Sequence, residues 1–193
     1  MKIKLILIAL FGVMLFSSCE KLPQNQIDQV SILMDSVKLV GGELYVPEEF
    51  MALNNSFETV KAKIEEERSK IFKNYNEVIK SLDSVNLMAS DVLSKVEVRK
   101  VELIAENDLL LAEVKDLIST NNLLLSKAPS GKDGSIALKS IKSDIDLIST
   151  TVTETEELIS NDDILCANNK IKAAKEKALE LKNELESAIS KIK

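Results

Sequence analysis

The 193-residue sequence has no histidine and no tryptophan, and it has only two cysteines, three prolines and five glycines. Without histidine, it lacks the side chain most often used for acid–base catalysis and transition-metal binding near neutral pH. Two cysteines are too few for a disulfide framework. Because glycine, proline and aromatic residues are scarce, tight turns and β-sheets are disfavoured, and we predict an all-α fold.

The charge balance excludes a class of partners. The chain has 25 Lys and Arg residues against 31 Asp and Glu residues, which gives a formal net charge of −6. The two signs are interspersed along the sequence, so there is no long basic segment. We therefore expect no nucleic-acid partner and no general electrostatic adhesion to a membrane surface.

The first 18 residues have the organisation of a cleaved export signal. Lys2 and Lys4 precede an apolar run from Leu5 to Phe16, which is too short to span a bilayer. Phe16-Ser17-Ser18-Cys19 then resembles the lipobox of bacterial lipoproteins, although Phe16 stands where leucine is usual. The resemblance implies a signal peptide over 1–18 and a lipidated Cys19. The alternative is a plain secretory signal with a chance cysteine.

A lipidated cysteine would determine where the protein resides. Two or three acyl chains such as palmitate anchor a protein far more firmly than one. We expect a cell-envelope lipoprotein, held at the outer membrane by Cys19. Residues 19–25 form a short tether and residues 26–193 a single helical domain, so the periplasmic face is favoured over the cell surface.

Apolar residues recur at steps of three and four along most of the remaining chain, as expected for amphipathic helices. A first helix carries Ile27, Val30, Met34 and Val37 on one face. Gly41-Gly42 marks a loop, and Pro47 begins a second helix whose first turn holds Glu48 and Glu49. From there a heptad seam continues through Phe50, Leu53, Phe57, Val60, Ile64, Ile71, Tyr75, Val78, Leu82, Val85, Ala89, Val92, Val96, Leu103, Leu110, Val114, Leu117 and Leu124.

The extent of this second helix is the main open point in the predicted architecture. No glycine or proline lies between Pro47 and Pro129, so we predict one helix over 48–126. The seam shifts phase between Ile71 and Tyr75 but is in phase from Tyr75 to Val96. A break near 86–90, with Ser90 as a helix cap, is the alternative.

The last third of the chain repeats the pattern after a loop at 128–135. One seam includes Ile141, and a second resumes at Ile171 after a predicted break at 160–163. We predict that residues 136–192 fold back along the second half of the long helix. The fold is then a set of long antiparallel coiled-coil-like helices, either a helical hairpin rod or an elongated three- or four-helix bundle, with homo-oligomerisation as another way to bury the seam.

Residues 35–80 carry a local resemblance to a known family. The sequence Gly41-Gly42-Glu43-Leu44-Tyr45-Val46-Pro47-Glu48-Glu49-Phe50 is similar to the start of the DUF4398-like helical envelope domain, in which a Tyr and a Pro-Glu pair precede a long amphipathic helix. Bulky residues at Phe50, Leu53 and Phe57 depart from the alanine-rich helices of that family. The resemblance implies a helical, non-enzymatic envelope protein, and it carries over no functional residue.

No group of residues predicts catalysis, a metal site or a cofactor. Acidic clusters at 65–67, 154–157 and 162–163 are interpreted as solvated helix faces, because their spacing matches no calcium loop. Cys166 is interpreted as a buried free thiol. Lys193 is a candidate attachment point to peptidoglycan, since its amine stands at the end of the chain.

We therefore predict a lipid-anchored helical protein that is not an enzyme. It acts by protein–protein interaction, as a scaffold or ligand-binding lipoprotein, on an envelope or extracellular partner. One alternative is a carrier of an apolar ligand such as a lipid, for which Ala89, Ala174, Ala178 and Ala188 would leave space. The other is a structural tether between membrane and peptidoglycan, through Lys193.

Overall fold

The computed structural model describes residues 21–129 and 134–191. These residues contain no strand, and 89% of them are helical, which confirms the all-α prediction. They form two compact units, the first ending at Val98 and the second beginning at Arg99. The prediction that 26–193 behaves as a single domain stays a prediction. The helices are α1 (Gln24–Leu39), α2 (Gly42–Tyr45), α3 (Pro47–Ser69), α4 (Asn76–Lys127), α5 (Gly134–Ser160) and α6 (Ile164–Ser190).

The first unit packs α1, α2, α3 and the first part of α4 around one core. Most of the predicted seam residues supply this core, because side chains three and four positions apart share a helix face. The prediction is wrong for Ile71, which is 87% exposed because it lies between α3 and α4 rather than on a helix. The predicted tether over 19–25 extends too far along the chain, because Leu22 already packs against the core and Gln24 already lies in α1. The core comprises Val30, Met34, Val37, Val46, Leu53, Phe57, Val60, Ile64, Tyr75, Val78, Leu82, Val85, Ala89, Val92 and Val96.

Two glycines make the connection between α1 and α3 compact. Gly41 has a φ of 87°, in the left-handed region that glycine adopts without strain. At Gly42 a Cβ atom would lie 2.6 Å from a methyl carbon of Val37, so only glycine allows this approach. Pro47 is the first residue of α3, as predicted, and Glu48 and Glu49 occupy the first turn.

The prediction of one helix over 48–126 is wrong, because α3 ends at Ser69 and α4 begins at Asn76. Lys70, with φ −76° and ψ 147°, is extended and ends the helix. Glu67 then stabilises the reversal with its side chain. Its Oε2 accepts a hydrogen bond from the Asn74 backbone N–H at 3.3 Å, and its Oε1 accepts from Lys70 Nζ at 2.6 Å.

The alternative break near 86–90 is also wrong, because α4 is continuous from Asn76 to Lys127. Ser90 does not cap a helix. Its hydroxyl donates to the Asn86 carbonyl at 3.0 Å, one turn earlier in the same helix. A serine that bonds back in this way is compatible with a helix interior.

The second unit is a three-helix bundle formed by the remainder of α4 with α5 and α6. The predicted break at 160–163 is confirmed, and Asp162 has a φ of 62° there, a conformation that Asp tolerates better than most residues. Asp163 is the N-cap residue of α6. The core of the bundle comprises Leu110, Leu111, Val114, Ile141, Ile145, Ile148, Val152, Ile171, Ala174, Ala178, Leu181 and Leu185.

Ion pairs between helices show the direction of each helix in this bundle. Lys115 of α4 pairs with Glu156 of α5 at 2.7 Å, and Lys100 pairs with Asp162 at 2.7 Å, so later residues of α4 face earlier residues of α5. These two helices are therefore antiparallel. Between α4 and α6, later residues of one helix face later residues of the other: Glu106 pairs with Lys172 and Glu113 with Lys175. These two helices are therefore parallel.

Candidate functional site

Two of the three site residues predicted from the sequence, Cys19 and Lys193, lie outside the described residues. The structure therefore leaves the predicted lipidation of Cys19 and the predicted peptidoglycan link of Lys193 as predictions. Cys166 is described, and it is a free thiol.

The prediction that Cys166 is buried is wrong, because its side chain is exposed. The core face of α6 passes through Ile164, Ala167 and Ile171, and Cys166 lies off that face. A hydrogen bond with Asp163 and the negative charge of that carboxylate raise the pKa of the Cys166 thiol. A raised pKa lowers the thiolate fraction at neutral pH, so the surroundings of Cys166 suppress nucleophilicity.

The acidic clusters are paired with basic side chains. Glu66 and Glu67 both contact Lys70 Nζ, at 2.9 Å and 2.6 Å, and Glu156 contacts Lys115. The hydrogen bond from Lys70, followed by the one from the Asn74 backbone, lowers the pKa of Glu67. No cluster of three or more potential metal-ligating Cys, Asp or Glu side chains occurs within 21–129 and 134–191.

A series of buried asparagines connects α4 to α6 in the second unit. Asn107 Nδ2 donates to the Ile164 carbonyl at 3.1 Å, and Asn107 Oδ1 accepts from Asn168 Nδ2 at 2.8 Å. Fourteen residues further along α4, Asn121 Nδ2 donates to the Ala178 carbonyl at 2.8 Å. Both amide-to-carbonyl bonds join residues 57 apart. The repeat shows that α4 and α6 are parallel and in one register, which is what a buried asparagine specifies in parallel helices.

These asparagines differ in how completely they are satisfied. Asn107 and Asn168 bond to each other, and Asn168 also bonds to Glu106, whose pKa is lowered mainly by a hydrogen bond from Lys172. The Oδ1 atom of Asn121 is buried without a partner. The polar series is therefore well built at the Asn107 end and costly at the Asn121 end.

A strip of exposed apolar side chains lies along α4 in the second unit. We call Val101, Ala105, Leu109 and Ala112 the α4 face. The four side chains are exposed, Leu109 by 69%, and they fall within an arc of about 80° at 100° per residue. The α4 face adjoins, at Ala112, a shallow groove of about 360 Å³ between α4 and α5. The groove is lined by Asp108, Leu111, Ala112, Lys115, Glu156 and Ile159.

Our sequence reasoning missed both the asparagine series and the α4 face. The predicted seam contains apolar residues and leaves out the polar heptad positions of Asn107 and Asn121. The signal was present in the gaps between Leu103 and Leu110 and between Leu117 and Leu124. The α4 face was missed because its residues are off the seam, and single exposed aliphatic residues on a helix are common.

Comparisons with known proteins identify no relative of this chain. No family model, no curated protein and no solved structure matches the chain. The resemblances to the lipobox and to the DUF4398-like domain therefore stay predictions. No helix within the described residues is both long and apolar enough to cross a membrane.

Proposed function

We propose that this chain is a lipid-anchored helical protein of the bacterial cell envelope that acts by binding another envelope protein and catalyses no reaction. The observation that carries the proposal is the α4 face, a continuous strip of exposed aliphatic side chains on a helix that also lines a groove. Helical partners bind through apolar side chains at steps of three and four, seated in such grooves. An exposed apolar strip supports a docking role, because contiguous apolar surface is enriched at sites of protein association.

The chemistry of the remaining side chains supports a binding role over catalysis. Cys166 is exposed, but Asp163 raises its pKa and so disfavours the reactive thiolate. The carboxylates of Glu66, Glu67 and Glu156 are held in ion pairs with lysines, as is usual for solvated helix surfaces.

The small seam residues support close helix packing more than an apolar-ligand carrier. Ala89 and Ala178 are fully buried and Ala174 nearly so. At Ala178 the absence of a larger side chain allows Asn121 to reach the backbone of α6. The space next to this alanine is thus occupied by the neighbouring helix. The tether alternative depends on Lys193.

In-cell photo-crosslinking tests the proposal. A benzophenone amino acid is placed at Ala105, and crosslinking is compared between Leu109→Ser and Leu147→Ser backgrounds. Leu147 of α5 is a matched control, because it is 66% exposed and Leu109 is 69% exposed. Removing a leucine from an apolar interface costs about 1.5 to 3 kcal/mol, so we expect Leu109→Ser to weaken binding about tenfold or more.

The expected result is one discrete product from position 105 that Leu109→Ser removes and Leu147→Ser leaves intact. Absence of a product, or equal loss in both backgrounds, would contradict a docking role of the α4 face. A product of twice the chain's mass would show that the partner is a second copy of this chain and not another envelope protein.

A further inference from the structure

The reversal between α3 and α4 exposes two adjacent large apolar side chains. Ile71 is 87% exposed and Phe72 is 79% exposed. Reversals usually carry glycine, proline and small polar residues, since water surrounds them. An isoleucine and a phenylalanine side by side at such a position form an apolar tip that no residue from 21 to 98 covers.

Neighbouring residues fix this tip in place. Glu67 accepts hydrogen bonds from the Asn74 backbone and from Lys70, and Asn74 Oδ1 accepts from the Asn76 backbone N–H at 3.0 Å. Tyr75, the next residue, is 2% exposed and belongs to the core. The buried tyrosine and the Glu67 bonds hold both ends of the reversal, so Ile71 and Phe72 point outward from a built turn.

The tip lies at the end of the first unit where the described chain begins. Gln24 and Ile27 in the first turn of α1 line a groove together with Ile64 and Arg68 near the end of α3. Leu22, just before α1, packs against the same core. The first residues of the described chain are therefore beside the reversal between α3 and α4.

The sequence places the predicted lipid attachment close to this end. Cys19 precedes Leu22 by three residues. Three residues of extended chain reach at most about 11 Å. A membrane that holds acyl chains on Cys19 is thus within reach of the end that carries Ile71 and Phe72.

The charges around the tip fit a lipid surface. Arg68, Lys70 and Lys73 flank the two apolar residues, and no acidic residue occurs between Arg68 and Asn74. Arg68 pairs with Glu65 at 2.8 Å, and Lys70 is shared with Glu66 and Glu67 one turn earlier. Basic side chains beside inserted apolar residues are favourable at anionic headgroups, even in a chain whose net charge is acidic.

We propose that Ile71 and Phe72 insert into the lipid bilayer that holds the N-terminal anchor, with Arg68, Lys70 and Lys73 at the headgroups. The proposal rests on the lipid anchoring proposed above. The acyl chains and the tip are then two attachments, and together they fix which end of the first unit faces the membrane.

Because the chain has no tryptophan, a single introduced tryptophan reports on its own surroundings. Phe72→Trp is compared with Leu39→Trp, a control at the last residue of α1 that is 89% exposed. The 16 residues of α1 span about 24 Å, which separates the control from the tip. Each full-length variant is purified from bacterial membranes, checked by circular dichroism, and reconstituted into vesicles of phosphatidylcholine and phosphatidylglycerol with or without brominated acyl chains.

Mass spectrometry of the same samples establishes whether Cys19 is acylated. With acylated protein, we expect a blue shift and strong bromine quenching of Trp at 72, and neither for Trp at 39. Acylated protein with unquenched Trp at 72, or with equal quenching at both positions, would overturn the insertion and leave the anchor intact. Protein without acyl chains would overturn both proposals.

Discussion

Cys166 and Asp163 show how one neighbouring side chain sets the reactivity of a thiol. The carboxylate of Asp163 raises the pKa of Cys166 through a hydrogen bond and through its charge. The fraction of thiolate at a given pH is lower when the pKa is higher, and the thiolate is the nucleophile. An exposed cysteine can therefore remain a poor nucleophile.

We expect Asp163→Asn to lower the pKa of Cys166 and to shift its profile of alkylation rate against pH to lower pH. The rate constant with iodoacetamide between pH 7 and pH 9 measures this effect, in a Cys19→Ser background so that one thiol reacts. Asp162→Asn is the control, because Asp162 pairs with Lys100. If neither variant changed the profile of alkylation rate against pH, the proposed role of Asp163 would be contradicted.

Asn107 and Asn121 make the same type of bond at two positions, yet we predict opposite effects of replacing them. Ala178 lies inside α6, where its carbonyl has a helical partner, so Asn121→Val removes an unsatisfied Oδ1 and leaves none behind. We expect it to raise the free energy of unfolding by about 1 kcal/mol. Asn107→Val deprives Asn168 of a buried partner and should lower this free energy by about 1 to 3 kcal/mol.

Urea unfolding of the two variants and the parent chain measures both values. Similar m-values are required for the comparison, because a change in m indicates a change in the folded or unfolded state. If both substitutions lowered the free energy of unfolding by the same amount, the two asparagines would contribute equally to stability. That result would contradict the prediction drawn from their different hydrogen bonding.

At the level of helices, the corrected boundaries make a direct prediction for proline. Ser90 lies in the interior of α4, where proline removes a backbone hydrogen bond and clashes with the preceding turn. We expect Ser90→Pro to cost about 3 kcal/mol or more. Position 71 follows extended Lys70, a conformation that favours a following proline, so Ile71→Pro should cost less than about 1 kcal/mol. Equal losses by urea unfolding would contradict the boundaries.

Periodicity predicted the helices better than their ends. The seam from Tyr75 to Val96 is buried as predicted, because a repeat of three and four residues determines which face of a helix is apolar. The break at 70–75 was missed because no glycine or proline marks it. It is made by the Glu67 side chain, which bonds to Lys70 and to the Asn74 backbone, and sequence propensity does not contain such a contact. The phase shift between Ile71 and Tyr75 was the only trace.

The candidate surfaces were less predictable than the core. Burial of apolar residues has one dominant cause, whereas the exposure of Leu109, Ile71 or Cys166 depends on which neighbours a helix acquires. Cys166 illustrates the difference. A cysteine is often buried, but Cys166 lies outside the core face of α6 and is exposed. Asn107 and Asn121 occupy buried core positions, where apolar residues are expected.

For the whole molecule, the length of chain between Cys19 and the first core residue bears on location. Leu22 already packs against the core, so little free chain separates the predicted anchor from the folded unit. We therefore expect the protein to face the periplasm and to resist trypsin on intact cells. After permeabilisation of the outer envelope, trypsin should cleave the protein. Cleavage on intact cells would instead place the protein at the cell surface.

We propose above that lipid on Cys19 anchors this helical protein. Mass spectrometry of the N-terminal peptide from protein extracted from bacterial membranes tests it most directly. We expect a peptide that begins at Cys19 and carries two or three acyl chains. We expect Cys19→Ser to abolish these chains and to release the protein from the membrane fraction. A free Cys19 thiol, or an intact segment 1–18 on the mature protein, would contradict this proposal.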